Sequence, residues 1–292
     1  MLPIGLLGTL VRETVLRREI ERVPEPEATM ADLDQVRAYA AAGRDVGVMA
    51  PTHLFHTANA CDVIRPGDRV LDLGCGPATQ LAQLAAVRPD ATFVGVDLSM
   101  PMLAEAREWI DALRIDNVQL EAGDITDLSS LDDRSFDVVL SCMTLHHLPS
   151  ASLIDAMSAQ INRILSPNGG VYVADFSRLR SERSIEYFAT DHASLQPEWF
   201  TSDYRNSLRA AFSSADLRRL AEALPVGCEV FTTPGIRIMT VIKSPPRWEA
   251  DMAVRARIAS LRDGLTRSQQ RDLGKLRQFF RQAGLRGNLL GG

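Results

Sequence analysis

From Arg69 to Ala174 the chain alternates short apolar or β-branched runs with longer stretches whose apolar residues recur every three to four positions. The short runs, Arg69–Leu73, Thr92–Val96, Val118–Glu121, Phe136–Ser141 and Gly170–Ala174, read as strands. The longer ones, Ala78–Val87, Met100–Leu113 and Ala151–Leu165, read as helices. Ser99 caps the second of these, with Pro101 in its first turn. Such alternation predicts an α/β fold built on a doubly wound, largely parallel sheet. Further on, a helix is expected over Ser214–Leu224 and two strands over Glu229–Thr233 and Arg237–Ile242, joined around Pro234-Gly235. So short a connection permits only a C-terminal antiparallel hairpin, and the sheet is therefore expected to be mixed.

The flanks read differently. Residues 1–66 predict an N-terminal helical cap, broken at Pro24-Glu25-Pro26 and near Pro51. Residues 67–244 form the expected core, with a helical lid insertion over 177–211 that exceeds the ~2–6 residues of an ordinary strand-to-helix connection. Residues 245–292 read as a helical tail in which Val254, Ile258, Leu261 and Leu265, then Leu273, Leu276 and Phe280, repeat at helical spacing. Its last stretch, 284–292, carries four glycines without periodicity and is expected to fray.

Charge narrows the partners. The formal net charge of −5 offers no basic field for nucleic acid. Residues 243–292 nevertheless hold eleven basic side chains against four acidic ones. This tail is either a solvated helix with one packed stripe or a dock for a peptide, an acidic carrier protein or a second copy in a homodimer. Cys61, Cys75, Cys142 and Cys228 are too scattered for a disulfide framework or a zinc site, which points to reduced thiols and a cytoplasmic protein. No charge-free run approaches the ~20 apolar residues of a membrane span. The apolar stretch from Met1 to Val11 lacks a basic residue ahead of it, unlike a secretory signal.

The strand Arg69–Leu73 runs straight into Gly74-Cys75-Gly76-Pro77-Ala78, placing glycine where a ligand must approach backbone. A dinucleotide fingerprint would want Gly or Ala where Thr79 stands, so a pyrophosphate is disfavoured. Three acids point instead to a nucleoside bearing an amino-acid group. Asp97, ending the second strand, suits two ribose hydroxyls, and Asp124 suits an exocyclic amine between the apolar faces of Leu98 and Ile125. Asp72, ahead of the turn, needs a donor such as an ammonium group. Ser141, closing the fourth strand, and Tyr39 complete the candidate cofactor set with Gly74 and Gly76.

On these residues the stretch from Val70 to Asp175 resembles class I S-adenosylmethionine-dependent methyltransferases. Val70-Leu71-Asp72-Leu73-Gly74-Cys75-Gly76-Pro77 resembles the family's first motif, with Ala78 in place of a frequent third glycine. Val94-Gly95-Val96-Asp97-Leu98-Ser99 is similar to its ribose-binding strand, and Gly123-Asp124-Ile125 to its adenine contact. Phe136-Asp137-Val138-Val139, Leu145-His146-His147-Leu148-Pro149 and Leu165-Ser166-Pro167-Asn168-Gly169-Gly170 follow in the family's order. The resemblance implies a seven-stranded Rossmann-like sheet, S-adenosyl-L-methionine as cofactor and an enzyme that transfers its methyl group.

Methyl transfer needs an aligned acceptor and, for a hydroxyl, a base. His146, His147 and Asp175 are the candidate catalytic residues, at the carboxyl ends of the fourth and fifth strands. The lid offers Tyr187, Phe188, Asp191, His192, Trp199, Phe200 and Tyr204, of which Tyr187, His192 and Trp199 are the expected acceptor contacts. His53 and His56 lack a third ligand nearby in sequence, and no metal is expected. The expected reaction is methylation of an O, N or C atom of a small molecule, such as a specialised metabolite. A peptide or protein acceptor is the alternative, and a non-catalytic assembly module with this fold is the third reading.

Overall fold

The computed structural model describes residues 4–26, 32–44, 47–191, 193–287 and 289–290. Three helices come first: α1 (Ile4–Val15), α2 (Leu33–Gly43) and α3 (Ala50–Ala60). The alternating core follows as β1 (Arg69–Leu73), α4 (Thr79–Val87), β2 (Thr92–Asp97), α5 (Met100–Leu113), β3 (Val118–Ala122), β4 (Phe136–Cys142), α6 (Ala151–Ile164) and β5 (Leu165–Phe176). The lid helices α7 (Glu182–Thr190) and α8 (Glu198–Ala210) lead to α9 (Ser214–Ala223). The hairpin β6 (Glu229–Thr232) and β7 (Met239–Lys243) precedes α10 (Met252–Gly264) and α11 (Arg267–Gln282).

The seven strands form one sheet in the order β3-β2-β1-β4-β5-β7-β6. The first five are parallel, and β7 runs antiparallel to both β5 and β6. This is the Rossmann-like mixed sheet with a C-terminal hairpin that the resemblance implies. The order reverses between β1 and β4, and in a doubly wound sheet the strand ends diverge there to leave a crevice.

Buried strands alternate between two layers. Leu71, Leu73, Val94, Val96, Val139, Val171 and Val173 face α6 and α9 through Ile154, Met157, Ile161, Leu217 and Leu220. Val70, Phe93, Val138, Leu140, Tyr172 and Ala174 face the opposite way, onto a larger apolar cluster that includes residues of α3, α4, α5, α10 and α11. At α5, Ser99 accepts from the Met102 amide at 3.3 Å, so the helix starts at the cap read from sequence.

The C-terminal segment packs the apolar stripe expected of it, and the burial of Leu285, Leu289 and Leu290 corrects the expectation that 284–292 frays. Val254, Ile258, Leu273, Phe280, Leu285 and Leu290 are all buried in the sheet's own apolar cluster. Phe280 stacks on Phe55 of α3 with ring centroids 5.0 Å apart. Much of the basic charge is spent internally. Arg247 pairs with Asp68 at 2.6 Å and Lys243 with Asp62 at 2.7 Å. Basic residues placed along an amphipathic helix carried no information about what the apolar face would meet. Among the described residues no helix is long and apolar enough to cross a membrane.

Because Phe280 is 1% exposed and stacked in the core, Phe280→Ala should cost about 3–5 kcal/mol in urea unfolding. A loss below about 1 kcal/mol would show that the C-terminal helix is peripheral.

Candidate active site

A cavity of about 660 Å³ opens at the carboxyl edge of the sheet, where β1 and β4 part. On the β1–β3 side it is built by the glycine turn. Gly74 has φ +75° and lies so close to Thr144 that an added Cβ would come within 2.2 Å of its methyl group. Gly76 also has positive φ (+55°) but nothing within 4 Å of a Cβ position, so its backbone faces open space. Ala78 takes the left-handed φ of +54° where many related turns would use glycine.

Asp97 is fixed by the Gly76 and Ser99 amides, each at 2.8 Å, and lines the cavity. Asp124 accepts from the Thr126 amide at 2.8 Å and hydroxyl at 2.7 Å within its own turn. Leu98, 56% exposed, and Ile125 line the same wall. Asp72 is buried against the cavity and receives no hydrogen bond among the described residues. Burial and the nearby Asp97 charge push it up to about 7. Ser141 stands apart from this wall. Its buried hydroxyl donates to the Leu73 carbonyl at 2.9 Å, tying β4 to β1, and Cys142 and Met143 line the cavity instead.

On the β4–β5 side, Asp175 collects the loop that follows β4. Its carboxylate accepts from the amides of Thr144 (3.1 Å), His146 (3.2 Å) and Phe176 (2.6 Å), and from His146 Nδ1 at 2.7 Å. Burial alone would lower the His146 pKa, but the charge and hydrogen bond of Asp175 outweigh it and hold the imidazole above its ordinary value. Met143, just before, sits at φ +57°, a costly conformation for a long side chain and one that strain at a functional site would explain. His147 pairs with Glu25, whose other oxygen accepts from Ser207 at 2.7 Å.

Glu25 and Arg22 were not singled out in the sequence. They lie on the extended strap between α1 and α2, which is stitched over this side. Ile20 donates to Leu179 and Val23 to Arg209, both at 3.1 Å. Arg22 donates to the carbonyls of Pro149, Leu148, His146 and Ala210 and stacks over Phe212 at 4.0 Å. The one local signal was Glu25 between two prolines, which hold a chain extended. Glu25, His146 and His147 each bring one ligand atom within 4.8 Å of the others, a metal-compatible cluster the sequence did not show. Within it His147 is hydrogen-bonded to Glu25, and His146 is hydrogen-bonded to Asp175.

The lid places different aromatics from those expected. Phe188, Phe200, Asp203 and Tyr204 line the cavity together with Tyr39, whose ring lies 6.2 Å from Phe200. Tyr187 and Trp199 are not on its wall. Tyr187 packs against Gly5 of α1, and Trp199 sets its ring edge-on to Phe200 from outside. His192 lies outside the described residues. Each missed aromatic is the immediate neighbour of one that faces in, and one residue turns a helix by about 100°. From the C-terminal segment, Asp272, Lys275, Leu276 and Phe279 of α11 also reach the cavity.

The sheet order, the glycine turn and the acids at three successive strand ends define a Rossmann-like protein with a nucleoside-type site. Residues 64–220 match a family model described as a methyltransferase domain, more than half of the chain, and the chain belongs to that family of class I S-adenosylmethionine-dependent methyltransferases. It is 45% identical over 85 residues to the trans-aconitate 2-methyltransferase of Deinococcus radiodurans, covering 29% of this chain and 30% of that one. The 27-O-demethylrifamycin SV methyltransferase of Amycolatopsis mediterranei is 31% identical over 124 residues, 42% of this chain and 44% of that one. The chain thus spans less than half the length of these curated relatives. The plantazolicin methyltransferase, solved in complex with S-adenosylhomocysteine (SAH), shares the fold with a TM-score of 0.53 at 18% identity, over 84% of this chain and 86% of that one.

Because Asp72 holds its proton to about pH 7 in the fold and only to about 3.8 when unfolded, its ionisation opposes folding increasingly as pH rises between those values. Asp72→Asn is therefore expected to raise the melting temperature of the cofactor-free protein by several degrees at pH 8 and by less at pH 5.5. If Asp72 is the partner of the cofactor's ammonium group, the same variant should bind SAH at least tenfold more weakly. Equal gains at both pH values would refute the desolvation argument.

Proposed function

We propose that this chain transfers a methyl group from S-adenosylmethionine to a small-molecule acceptor, with His146 taking the acceptor's proton. The observation that carries this reading is the cavity itself. It spans the switch point with Asp72, Asp97 and Asp124 over β1, β2 and β3 and the Asp175-braced His146 over β4 and β5.

The cofactor side fits an S-adenosylmethionine-like ligand by what its groups lack. Asp72 is a buried acid in want of a cation, Gly76 leaves backbone open, and Leu98 and Ile125 put apolar side chains on the same wall, as an aromatic ring would need. Asp97 would hold the ribose and Asp124 the adenine amine. When bound, the cofactor supplies an electrophilic methyl group on a sulfonium.

On the other side, His146 donates its Nδ1 proton to Asp175, which leaves Nε2 as the basic nitrogen. Asp175 thereby fixes both tautomer and ring orientation, and His147 is held alongside by Glu25 with its ring 4.2 Å from that of His146. His146, rather than His147, is the base in this reading because it is the one buried and braced by a fully hydrogen-bonded carboxylate. Tyr39, Phe176, Phe200 and Tyr204 would shape the acceptor's apolar surface.

A volume of about 660 Å³, lined by residues of α2, α3, the lid and α11 besides the strand ends, falls in the range of small-molecule pockets and supports that class of acceptor. The relative named for trans-aconitate implies a polycarboxylate acceptor for that enzyme, but no arginine lines this cavity among the described residues, which disfavours such an acceptor here.

Calorimetric titration with SAH, with NAD as control, tests the cofactor assignment, and absence of SAH binding would sink the proposal. Asp97→Ala should weaken SAH by about 1.5–3 kcal/mol, the worth of hydrogen bonds to a charged group. In ¹⁵N-imidazole NMR titrations, Asp175→Asn should move the His146 pKa downward, since Asp175 is what holds it up against burial. His146→Ala should then cost ~10²–10⁴ in turnover with SAH affinity unchanged. An unmoved His146 titration would remove the brace from the mechanism.

A further inference from the structure

The acceptor side of the cavity is acidic in a way the methyl-transfer reading does not use. Asp203, on α8, lines the wall beside Phe200 and Tyr204, and its carboxylate takes part in no hydrogen bond or ion pair among the described residues. Its neighbour Glu25 is answered by His147 and Ser207. Asp203 faces His146, His147, Tyr39 and Glu25 closely enough to act on each electrostatically.

The basic groups that face it are the imidazoles of His146 and His147, each already hydrogen-bonded to another carboxylate, Asp175 and Glu25. Among the described lining residues the one ammonium or guanidinium group is Lys275, which is paired with Asp272 at 2.7 Å and largely exposed. An unpaired carboxylate that is mostly buried is expensive, and the cost is relieved only by a proton or by a cation that arrives with a ligand. Burial and the charge of Glu25 push Asp203 above the usual carboxylate range, against the smaller opposing pull of His147 and His146. The aromatic side chains of Tyr39, Phe176, Phe200 and Tyr204 line the same cavity, and aromatic rings attract a cation. Two independent features, an acid without a hydrogen-bond or ion-pair partner among the described residues and an aromatic wall whose one lysine is paired with Asp272, thus select the same charge.

We propose that Asp203 is the ammonium anchor of the acceptor pocket, and that the acceptor is an amine-bearing small molecule whose anchored cation presents a neighbouring nucleophile to His146. The proposal rests on the methyltransferase reading. It adds a specificity determinant on the lid and a substrate class, and it excludes anionic acceptors.

The test uses SAH-saturated full-length protein and two matched sets of probes, followed by calorimetry and thermal shift. The first set is tyramine, 4-ethylphenol and 4-hydroxyphenylacetate, and the second is cyclohexylmethylamine, cyclohexylmethanol and cyclohexanecarboxylate. In each set the amine is expected to bind at least tenfold more tightly than the neutral or anionic member. Asp203→Asn should remove that preference, weakening the amine at least tenfold while leaving the neutral probe and SAH unchanged, the SAH affinity also reporting that the variant is folded. Binding of the alcohol or carboxylate as tight as that of the amine overturns the proposal, as does failure of both amines to bind. An amine preference that survives Asp203→Asn overturns the anchor. Failure of SAH itself to bind is a separate result, which removes the methyltransferase reading.

Discussion

Four hydrogen bonds to one buried carboxylate organise the acceptor half of this site. Asp175 is 2% exposed at the end of β5, and the partners it draws come chiefly from the loop after β4. A charge in such a place is tolerated only when its oxygens are saturated by donors, so the loop has little freedom to stand elsewhere. That requirement carries Met143 into left-handed backbone, turns Thr144 back onto Gly74 and fixes the imidazole of His146. The first and fourth strands, which part to make the crevice, are thereby clamped across their tips.

The sheet supplies the cofactor half almost unaided, because Asp72, Asp97 and Asp124 stand at or just beyond adjacent strand ends and need only parallel registry to converge. The other half is assembled from segments remote in the chain. The strap contributes Glu25, which meets a residue 122 positions away, and Arg22 binds three carbonyls of the His146–Pro149 turn from a comparable distance. Lid helices α7 and α8 are held together by Arg205–Glu186 and Arg209–Glu182, surface pairs worth a few tenths of a kcal/mol each. The lid's position therefore depends more on α1 and the strap packed against it than on its own ion pairs.

This division explains what could be read from the sequence. Strand and helix periods, the glycine turn and the acids counted from it are local signals, and strand β1 and helix α5 begin and end where periodicity put them. Spacing does not separate Phe188 and Phe200, which line the cavity, from Tyr187 and Trp199, which do not, because an amphipathic helix announces that it has an inner face but not which neighbour the tertiary contact will choose. Arg22, Glu25 and Asp203 are ordinary polar residues until a second segment is set against them. The spacing of the C-terminal helices predicts the stripe they carry but not its destination. Their spacing showed an apolar stripe, but that Phe280 meets Phe55 is settled only when α11 lies on α3.

Asp72 and Asp203 give the cavity one electrostatic character at both ends. Asp72 is buried with no cation acting on it, and Asp203 is mostly buried and meets only imidazoles already bonded to other acids, so each lowers the relative energy of a state in which a cation is present. A field of that sign also distinguishes the two forms of the cofactor, since the sulfonium is positive and the thioether left after methyl transfer is neutral. The same buried acids would thus favour the loaded donor and disfavour retention of the spent one. Arginine on the wall would cancel this bias by supplying charge of its own, and its absence from the described lining residues is what lets a few carboxylates set the preference of the whole cavity.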